Sequence, residues 1–125
     1  MTKQQIKPGT SSAELFSPGL RAGDFIFVSG QVPRDPATGK IVGGTIEEQT
    51  AQVLENIKGI LAAGGATMAN VVKVSAHLAD LSHFERYNKV YVSYFPDPKP
   101  TRTTVGSQLL GFLVEIDAIA YIGEG

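Results

Sequence analysis

Alternating and β-branched residues predict four strands along the chain. Residues 24–29 are aromatic and β-branched, and a turn-rich stretch follows Gly30. Residues 71–79 alternate, which places Lys73, Ser75 and His77 opposite the apolar positions Val72, Val74, Ala76 and Leu78. After a proline-rich loop, residues 102–105 and 113–122 are also strand-like. We therefore expect four strands, of which the second is half-buried.

Two segments between these strands have helical spacing instead. From Thr45 to Gly64 the apolar residues recur every three or four positions, and Thr45 with Glu48 forms a capping-box pattern. Over residues 82–95, Ser82 and Glu85 repeat that pattern, and Pro96 ends the segment. Phe84, Tyr87, Tyr91 and Tyr94 follow at helical spacing, and we expect the three tyrosines to form a packing face, with one of them reaching a cleft as the alternative.

The order of these elements predicts an α+β fold, a mixed sheet with both helices on one face. Right-handed crossovers return the chain on the same side of a sheet, so the other face is left bare. The last strand is nevertheless apolar on both faces, which is expected only where both are covered. A second subunit is the simplest cover, and a small, partly exposed apolar face is the alternative.

Composition narrows the class of protein. The 125 residues fit a single domain, 1–125, with 42% hydrophobic and 18% charged residues. Eleven basic against twelve acidic residues leave a net charge of −1, which disfavours nucleic acid as a partner. The chain has no cysteine, which fits a reducing compartment. No apolar run is long enough to cross a membrane and residues 1–10 are polar, so we expect a cytoplasmic protein.

Three charged residues lie in or beside strand-like apolar segments: Arg102, Glu115 and Asp117. An arginine fixed by a strand can hold a carboxylate bidentately, but a surface salt bridge explains it equally well. Glu115 and Asp117 project from one face of their strand, and for each a solvent-exposed role is the alternative. The two histidines, His77 and His83, have no metal-ligand spacing, so we expect structural or solvated roles and no bound metal.

Several blocks, in order, resemble the reactive intermediate deaminase family (YjgF/YER057c/UK114). Pro100-Thr101-Arg102-Thr103-Thr104-Val105 followed by Leu113-Val114-Glu115-Ile116 is similar to the family's C-terminal signature. Upstream, Val28-Ser29-Gly30-Gln31-Val32-Pro33 resembles its Ser-Gly-Gln turn. Residues 48–50 with 54–58 resemble its first helix, and Asn88-Lys89-Val90-Tyr91 its second. The similarity extends from about Phe16 to Ala120.

This resemblance implies a chorismate-mutase-like, YjgF-like fold in a homotrimer with a central barrel and three clefts between subunits. It implies a cofactor-free hydrolysis of 2-imino or enamine acids, such as 2-iminopropanoate or 2-iminobutanoate, to a 2-keto acid and ammonia. Arg102 would hold the substrate carboxylate and Glu115 would position or activate water. The substrate-binding residues it implies are Phe16, Ser29, Gly30, Asn88 and Thr104. A ribonuclease or translation inhibitor and a non-catalytic small-molecule-binding trimer are the alternatives within the family.

The chain departs from the family pattern at three places. Phe16 stands where many members have tyrosine, and Thr104 stands where a cysteine is common. The spacer from Gly106 to Phe112 is also shorter than is typical of the family. These departures affect the shape of the predicted pocket and leave the substrate within the imine and enamine class open.

Overall fold

The computed structural model describes residues 2–8 and 15–123. Two α-helices, α1 (Ile46–Ala63) and α2 (Phe84–Val92), are each preceded in the chain by strands, and short 3-10 turns lie at Met68–Asn70 and Leu81–His83. Within these described residues there are six strands: β1 (Gln4–Ile6), β2 (Gly19–Ala22), β3 (Phe25–Gln31), β4 (Val71–Leu78), β5 (Thr101–Gly106) and β6 (Val114–Tyr121). The four predicted strands are thus confirmed, and β1 and β2 are additional.

All six strands form one sheet in the order β1-β2-β3-β6-β4-β5. Only β4 and β5 run parallel, and every other neighbouring pair is antiparallel. The predicted mixed sheet is therefore confirmed. β6, the last strand in the chain, lies at the centre of the sheet, and β5 forms one edge.

Both helices pack on the same side of the sheet, as predicted. α1 contacts β3 and β6, and α2 contacts α1. The buried side chains of the three central strands face these helices: Ile26, Val28, Val74, Ala76, Leu78, Val114, Ile116, Ala118 and Ala120. We call this the helix side of the sheet and the opposite face the open side.

The open side has both apolar and charged positions, and no helix of the described residues packs on it. β6 alternates between fully buried residues and the partly exposed Glu115, Asp117 and Ile119. At one end of this face lie Phe25 and Tyr121, whose ring centroids are 5.2 Å apart, and both are more than one-third exposed. Exposed aromatic rings on a sheet face are characteristic of a surface that meets another protein.

Helix α1 begins as its sequence predicts, with a modified cap. The Thr45 side chain accepts a hydrogen bond from the backbone N–H of Glu48 at 3.1 Å. The Glu48 carboxylate accepts from the backbone N–H of Gly44, at 2.9 Å, instead of closing the box on Thr45. The helix ends before Gly65, whose positive φ of 84° reverses the chain.

Helix α2 is shorter than predicted, and its predicted capping box is wrong. Residues 81–83 form a 3-10 turn, so Ser82 does not cap an α-helix. Asp80 caps this turn instead, accepting from the backbone N–H of Ser82 at 2.9 Å. The α-helix follows from Phe84 to Val92 and buries Tyr87 and Tyr91, which confirms the predicted packing face.

The prediction of which β4 residues face the core is wrong at the first of them, Val72. Val72 is 43% exposed, whereas Val71, Val74, Ala76 and Leu78 are buried. The pairing of β4 with β6 shifts register between Val71 and Lys73. Such an irregularity places one extra residue against the partner strand, so alternation fails there and Val71 replaces Val72 in the core.

Within the residues that the structure describes, no helix is long and apolar enough to cross a membrane. The polar segment 1–10 lies partly outside the described residues. The cytoplasmic location and the single domain 1–125 stay predictions.

The buried side chain of Gln49 joins two loops to α1. Its amide nitrogen donates to the Gly43 carbonyl at 3.0 Å, and its amide oxygen accepts from the backbone N–H of Leu113 at 2.8 Å. Leu113 directly precedes β6, so Gln49 fixes the point at which the strand carrying Glu115 begins. The sequence pattern did not single out this residue, because a polar side chain on a helix face is usually solvated.

We expect Gln49→Ala to lower the free energy of unfolding by about 1–3 kcal/mol, since it leaves two loop groups without partners. Chemical denaturation measures this loss. Gln52→Ala is the matched control. Gln52 lies on the same helix, and its only side-chain hydrogen bond among the described residues goes to the side-chain oxygen of Asn56, at 2.9 Å. Equal stability losses in the two variants would contradict the role given to Gln49.

Candidate functional site

Arg102 lies on the edge strand β5, on the helix side of the sheet. It pairs in register with Val74 of β4, which is a core residue, and it is half-buried. Its Nη1 donates to the side-chain oxygen of Asn88 at 2.8 Å. Its Cζ lies over three rings of α2, at 4.7 Å from the ring centre of Tyr91, 5.4 Å from that of Tyr87 and 5.6 Å from that of Phe84. The guanidinium is therefore held beneath α2 by one hydrogen bond and three cation–π contacts.

Thr104 lies two residues along β5, on the same side of the sheet, beside Ala76. Its hydroxyl is buried, as are the hydroxyls of Tyr87 and Tyr91, and among the described residues none of the three has a hydrogen-bond partner. We call Phe84, Tyr87, Asn88, Tyr91, Arg102 and Thr104 the arginine cluster. Buried hydroxyl groups beside a guanidinium are all potential donors, which suits an anionic oxygen.

The two tyrosines of the arginine cluster stay protonated at neutral pH. Burial raises the pKa of Tyr91 to about 12, and the neighbouring Tyr87 adds to this effect. Burial also raises the pKa of Tyr87, although the positive charge of Arg102 opposes the shift. Neither hydroxyl therefore supplies a negative charge that would compete with a ligand for Arg102.

Glu115 lies on β6, on the open side of the sheet, beside His77. The pairing of β3 with β6 is irregular between Val28 and Gln31, so Ser29 and Gly30 lie in a bulge next to this carboxylate. A Cβ atom added to Gly30 would overlap the Glu115 Oε2. Glycine is thus required at position 30 for the carboxylate to occupy its observed position.

Ser29 ties the N-terminal segment to this bulge. Its hydroxyl donates to the Ser17 carbonyl at 2.5 Å, and its backbone N–H donates to the Pro18 carbonyl at 2.9 Å. The neighbouring Phe16 is 58% exposed. We call Phe16, Ser29, Gly30 and Glu115 the glutamate cluster.

The seven residues predicted for the site therefore fall into two groups. Arg102, Asn88 and Thr104 lie together on the helix side, and the other four belong to the glutamate cluster. Arg102 aligns with Val74 and Glu115 with His77, and these two β4 residues point to opposite sides of the sheet. One chain thus does not bring the predicted arginine and glutamate to a common pocket.

The side chain of Asn56, in the middle of α1, binds two backbone carbonyls of the loop that follows β3. Its amide nitrogen donates to the carbonyls of Val32, at 3.1 Å, and Arg34, at 2.8 Å. These bonds fix the turn that leaves the Ser29-Gly30 bulge. Sequence reasoning included Asn56 in a helix block without assigning it a role, and no local pattern shows which distant carbonyls it reaches.

The open side also contains a second carboxylate, Asp117, which is half-buried. Burial raises its pKa, while the charges of His77 and Lys73 act in the opposite direction. The Nδ1 of His77 lies 2.7 Å from the Ser107 hydroxyl oxygen. This hydrogen bond is consistent with the structural role expected for His77. In the described parts of the chain, no three His, Cys, Asp or Glu side chains are placed to hold a metal ion.

Comparison with known proteins agrees with this architecture. The family model described as Endoribonuclease L-PSP matches residues 7–122. A RutC family protein of Pyrococcus horikoshii is 48% identical over 108 residues, which cover 85% of this chain and 86% of that protein. The chloroplastic Reactive Intermediate Deaminase A of Arabidopsis thaliana is 42% identical over 107 residues, covering 84% of this chain and 57% of that protein.

Solved structures give the same result. RidA from the Antarctic bacterium Psychrobacter sp. PAMC 21119 superposes with a TM-score of 0.88 at 35% identity, covering 95% of this chain and 99% of that one. The TdcF structure of E. coli, solved with bound serine, has a TM-score of 0.87 at 30% identity and covers 96% and 99% of the two chains. The chain therefore belongs to the Endoribonuclease L-PSP family, the YjgF/Rid group of proteins.

Proposed function

We propose that this protein is a cofactor-free deaminase that hydrolyses 2-imino or enamine acids to 2-keto acids and ammonia. The observation that carries this proposal is Arg102, a half-buried guanidinium that is bonded to the neutral Asn88 amide and lies against two tyrosines with buried hydroxyls. Such a group is suited to a carboxylate, because a guanidinium edge and a carboxylate form two parallel hydrogen bonds. A relative carries the name Reactive Intermediate Deaminase A, which supports the same reaction class.

The reacting pocket would be formed between copies of the chain, in a homotrimer. Arg102 and Glu115 lie on opposite sides of one sheet, so a neighbouring copy has to supply one of the two. The exposed rings of Phe25, Phe27 and Tyr121 on the open side support such an assembly, since contact with another copy would bury them. The clefts would then lie where the arginine cluster of one subunit faces the glutamate cluster of the next.

In this cleft the substrate carboxylate binds to Arg102 of one subunit, and this places the imine carbon near Glu115 of the next. The Glu115 carboxylate accepts a proton as water attacks the imine carbon, and the proton passes to the nitrogen. Glu115 then transfers the proton of the carbinolamine hydroxyl to the nitrogen, and the C–N bond breaks as that oxygen forms the carbonyl, releasing ammonia and the 2-keto acid. Since imines already hydrolyse in water, orientation and a general base are sufficient, and no metal or organic cofactor enters these steps.

The substrate within this class is set by the rim of the cleft. Phe16, at 58% exposure, and Phe84, at 39%, are apolar residues of the glutamate and arginine clusters. The phenyl ring of Phe16 lacks the hydroxyl that many family members have there. We therefore expect imines with apolar side chains, such as 2-iminobutanoate, to be hydrolysed in preference to imines with a second carboxylate.

We expect Arg102→Ala to reduce ammonia release from 2-iminobutanoate to the rate in buffer, because the carboxylate loses its charge-assisted hydrogen bonds. Each of these bonds is worth about 1.5–3 kcal/mol. The imine is generated in the assay by an amino acid oxidase, and ammonia is measured over time. Arg21→Ala, which removes an exposed arginine of β2, is the control and should retain full activity. Wild-type protein that matches the buffer rate would end the deaminase proposal.

We expect Glu115→Gln to reduce turnover on the order of 100-fold while leaving 2-ketobutyrate binding intact, because the amide keeps the side-chain shape but accepts no proton. Turnover is measured with the same assay and binding by calorimetry. Asp117→Asn changes the neighbouring carboxylate on the same side of β6 and should keep turnover close to that of the wild type. If Glu115→Gln retains full turnover, Glu115 is not the base. Carboxylate binding without turnover in the wild type would instead favour a non-catalytic binding protein.

A further inference from the structure

The contacts of Arg102 with α2 restrict which part of its guanidinium a ligand can reach. A guanidinium has five N–H donors in a plane, two on each terminal nitrogen and one on Nε. Nη1 is bonded to the Asn88 side-chain oxygen at 2.8 Å. Among residues 2–8 and 15–123, the Asn88 oxygen is the one acceptor that meets hydrogen-bond geometry with the guanidinium, and the Tyr87 hydroxyl is a near neighbour of it. The edge formed by Nε and Nη2 therefore has no acceptor bonded to it among these residues.

The aromatic rings of α2 also restrict the movement of the Arg102 guanidinium. Tyr91 is the nearest, with its ring centre 4.7 Å from Cζ, and it is itself fixed by packing on Tyr87 and Phe95. Tyr91 is only 6% exposed, so its ring has little freedom to move away. The residues that contact Arg102 here, Phe84, Tyr87, Asn88 and Tyr91, follow one another at helical spacing along α2.

We propose that Asn88 and Tyr91 are positioning residues, which hold the Arg102 guanidinium so that its Nε–Nη2 edge receives the ligand's carboxylate. The identity of the ligand as a carboxylate rests on the proposed function, whereas the restraint of the guanidinium does not. Asn88 thus acts through Arg102, although the family resemblance places it among the substrate-binding residues. The Tyr91 ring acts through its π face, so its hydroxyl is dispensable for this role.

The restraint determines affinity because a flexible arginine has to be ordered when it binds. Immobilising a long side chain costs about 0.5–1.5 kcal/mol, which corresponds to roughly 2- to 10-fold in affinity. We therefore expect Asn88→Ala to weaken 2-ketobutyrate binding by about this factor. Asn88→Asp should weaken it further, because the introduced carboxylate neutralises the guanidinium and competes with the ligand.

The tyrosine variants separate the ring from the hydroxyl. We expect Tyr91→Leu to bind 2-ketobutyrate about 2- to 10-fold more weakly than Tyr91→Phe does, from the loss of the cation–π contact, since both variants lack the hydroxyl. Tyr94→Phe and Tyr94→Leu are the matched controls: Tyr94 follows on the same face of this segment, but its hydroxyl donates to Glu55 at 2.8 Å and its ring is not over Arg102. Thermal unfolding of each variant shows whether it is folded before binding is measured by calorimetry.

A second measurement tests the restraint without any ligand or turnover. The Nε–Hε signal of Arg102 is observed by ¹⁵N NMR and assigned by its loss in Arg102→Lys. We expect an ordered Nε–Hε vector and slow guanidinium rotation in the wild type and Tyr91→Phe, and clearly greater motion in Asn88→Ala. Tyr91→Leu should also show greater motion. Equal Arg102 dynamics in the wild type and the folded Asn88→Ala variant would overturn the proposal, even if the protein proves to be a deaminase.

Failure of the proposed function gives a different result. In that case imine turnover is absent in the wild type, while the NMR differences between Asn88→Ala and the wild type remain. Conversely, a deaminase in which Asn88→Ala changes neither the Arg102 signal nor the affinity for 2-ketobutyrate retains the proposed function and loses this inference. The two sets of measurements therefore test the two proposals separately.

Discussion

Alternation along the strands of the sheet is the constraint on which the proposed chemistry depends. Successive side chains of a strand point to opposite faces, and neighbouring strands in register share a face. Arg102 aligns with the core residue Val74, and Glu115 aligns with His77 on the open side. The two side chains therefore leave the sheet on opposite sides within one chain. The proposed reaction, which uses both, would involve a second copy.

The helix side and the open side of the sheet hold different parts of the proposed site. On the helix side, α2 lies over the edge strand β5 and surrounds Arg102 with aromatic rings and the Asn88 amide. On the open side, the bulge at Ser29-Gly30 leaves space for the Glu115 carboxylate, and Asn56 and Gln49 fix the adjoining loops. Each cluster is thus held by contacts within its own subunit. In the proposed homotrimer, assembly would only have to bring the arginine cluster of one subunit to the glutamate cluster of the next.

Much of this architecture could be predicted from the sequence, since it depends on local periodicity. The two helices and four of the strands follow from the spacing of apolar residues, whereas the core face of β6 does not, because that strand has apolar residues on both faces. The bulge that exposes Val72 could not be predicted, because register depends on the partner strand. The same holds for β1 and β2, which are short and lack a strong pattern, and for the cap at Asp80, where a 3-10 turn replaces the expected helix start.

The candidate site was predictable as a set of residues but not as an arrangement. The blocks around Arg102, Glu115, Ser29 and Asn88 identify the family, and the family model confirms that assignment over residues 7–122. Their division between two sides of the sheet became visible only with the strand register, which long-range pairing decides. The bond from Arg102 to Asn88 likewise joins β5 to α2 and has no signature in either segment.

Complementation between two inactive variants tests the shared site most directly. Arg102→Ala and Glu115→Ala chains carrying different tags are co-expressed, and assemblies that contain both tags are purified and assayed for imine hydrolysis. If the site is shared between subunits of the proposed trimer, every assembly that contains both variants has one of its three clefts restored, with an intact arginine from one chain and an intact glutamate from the next. The account predicts this recovery of activity. Mixed assemblies as inactive as either variant alone would contradict it.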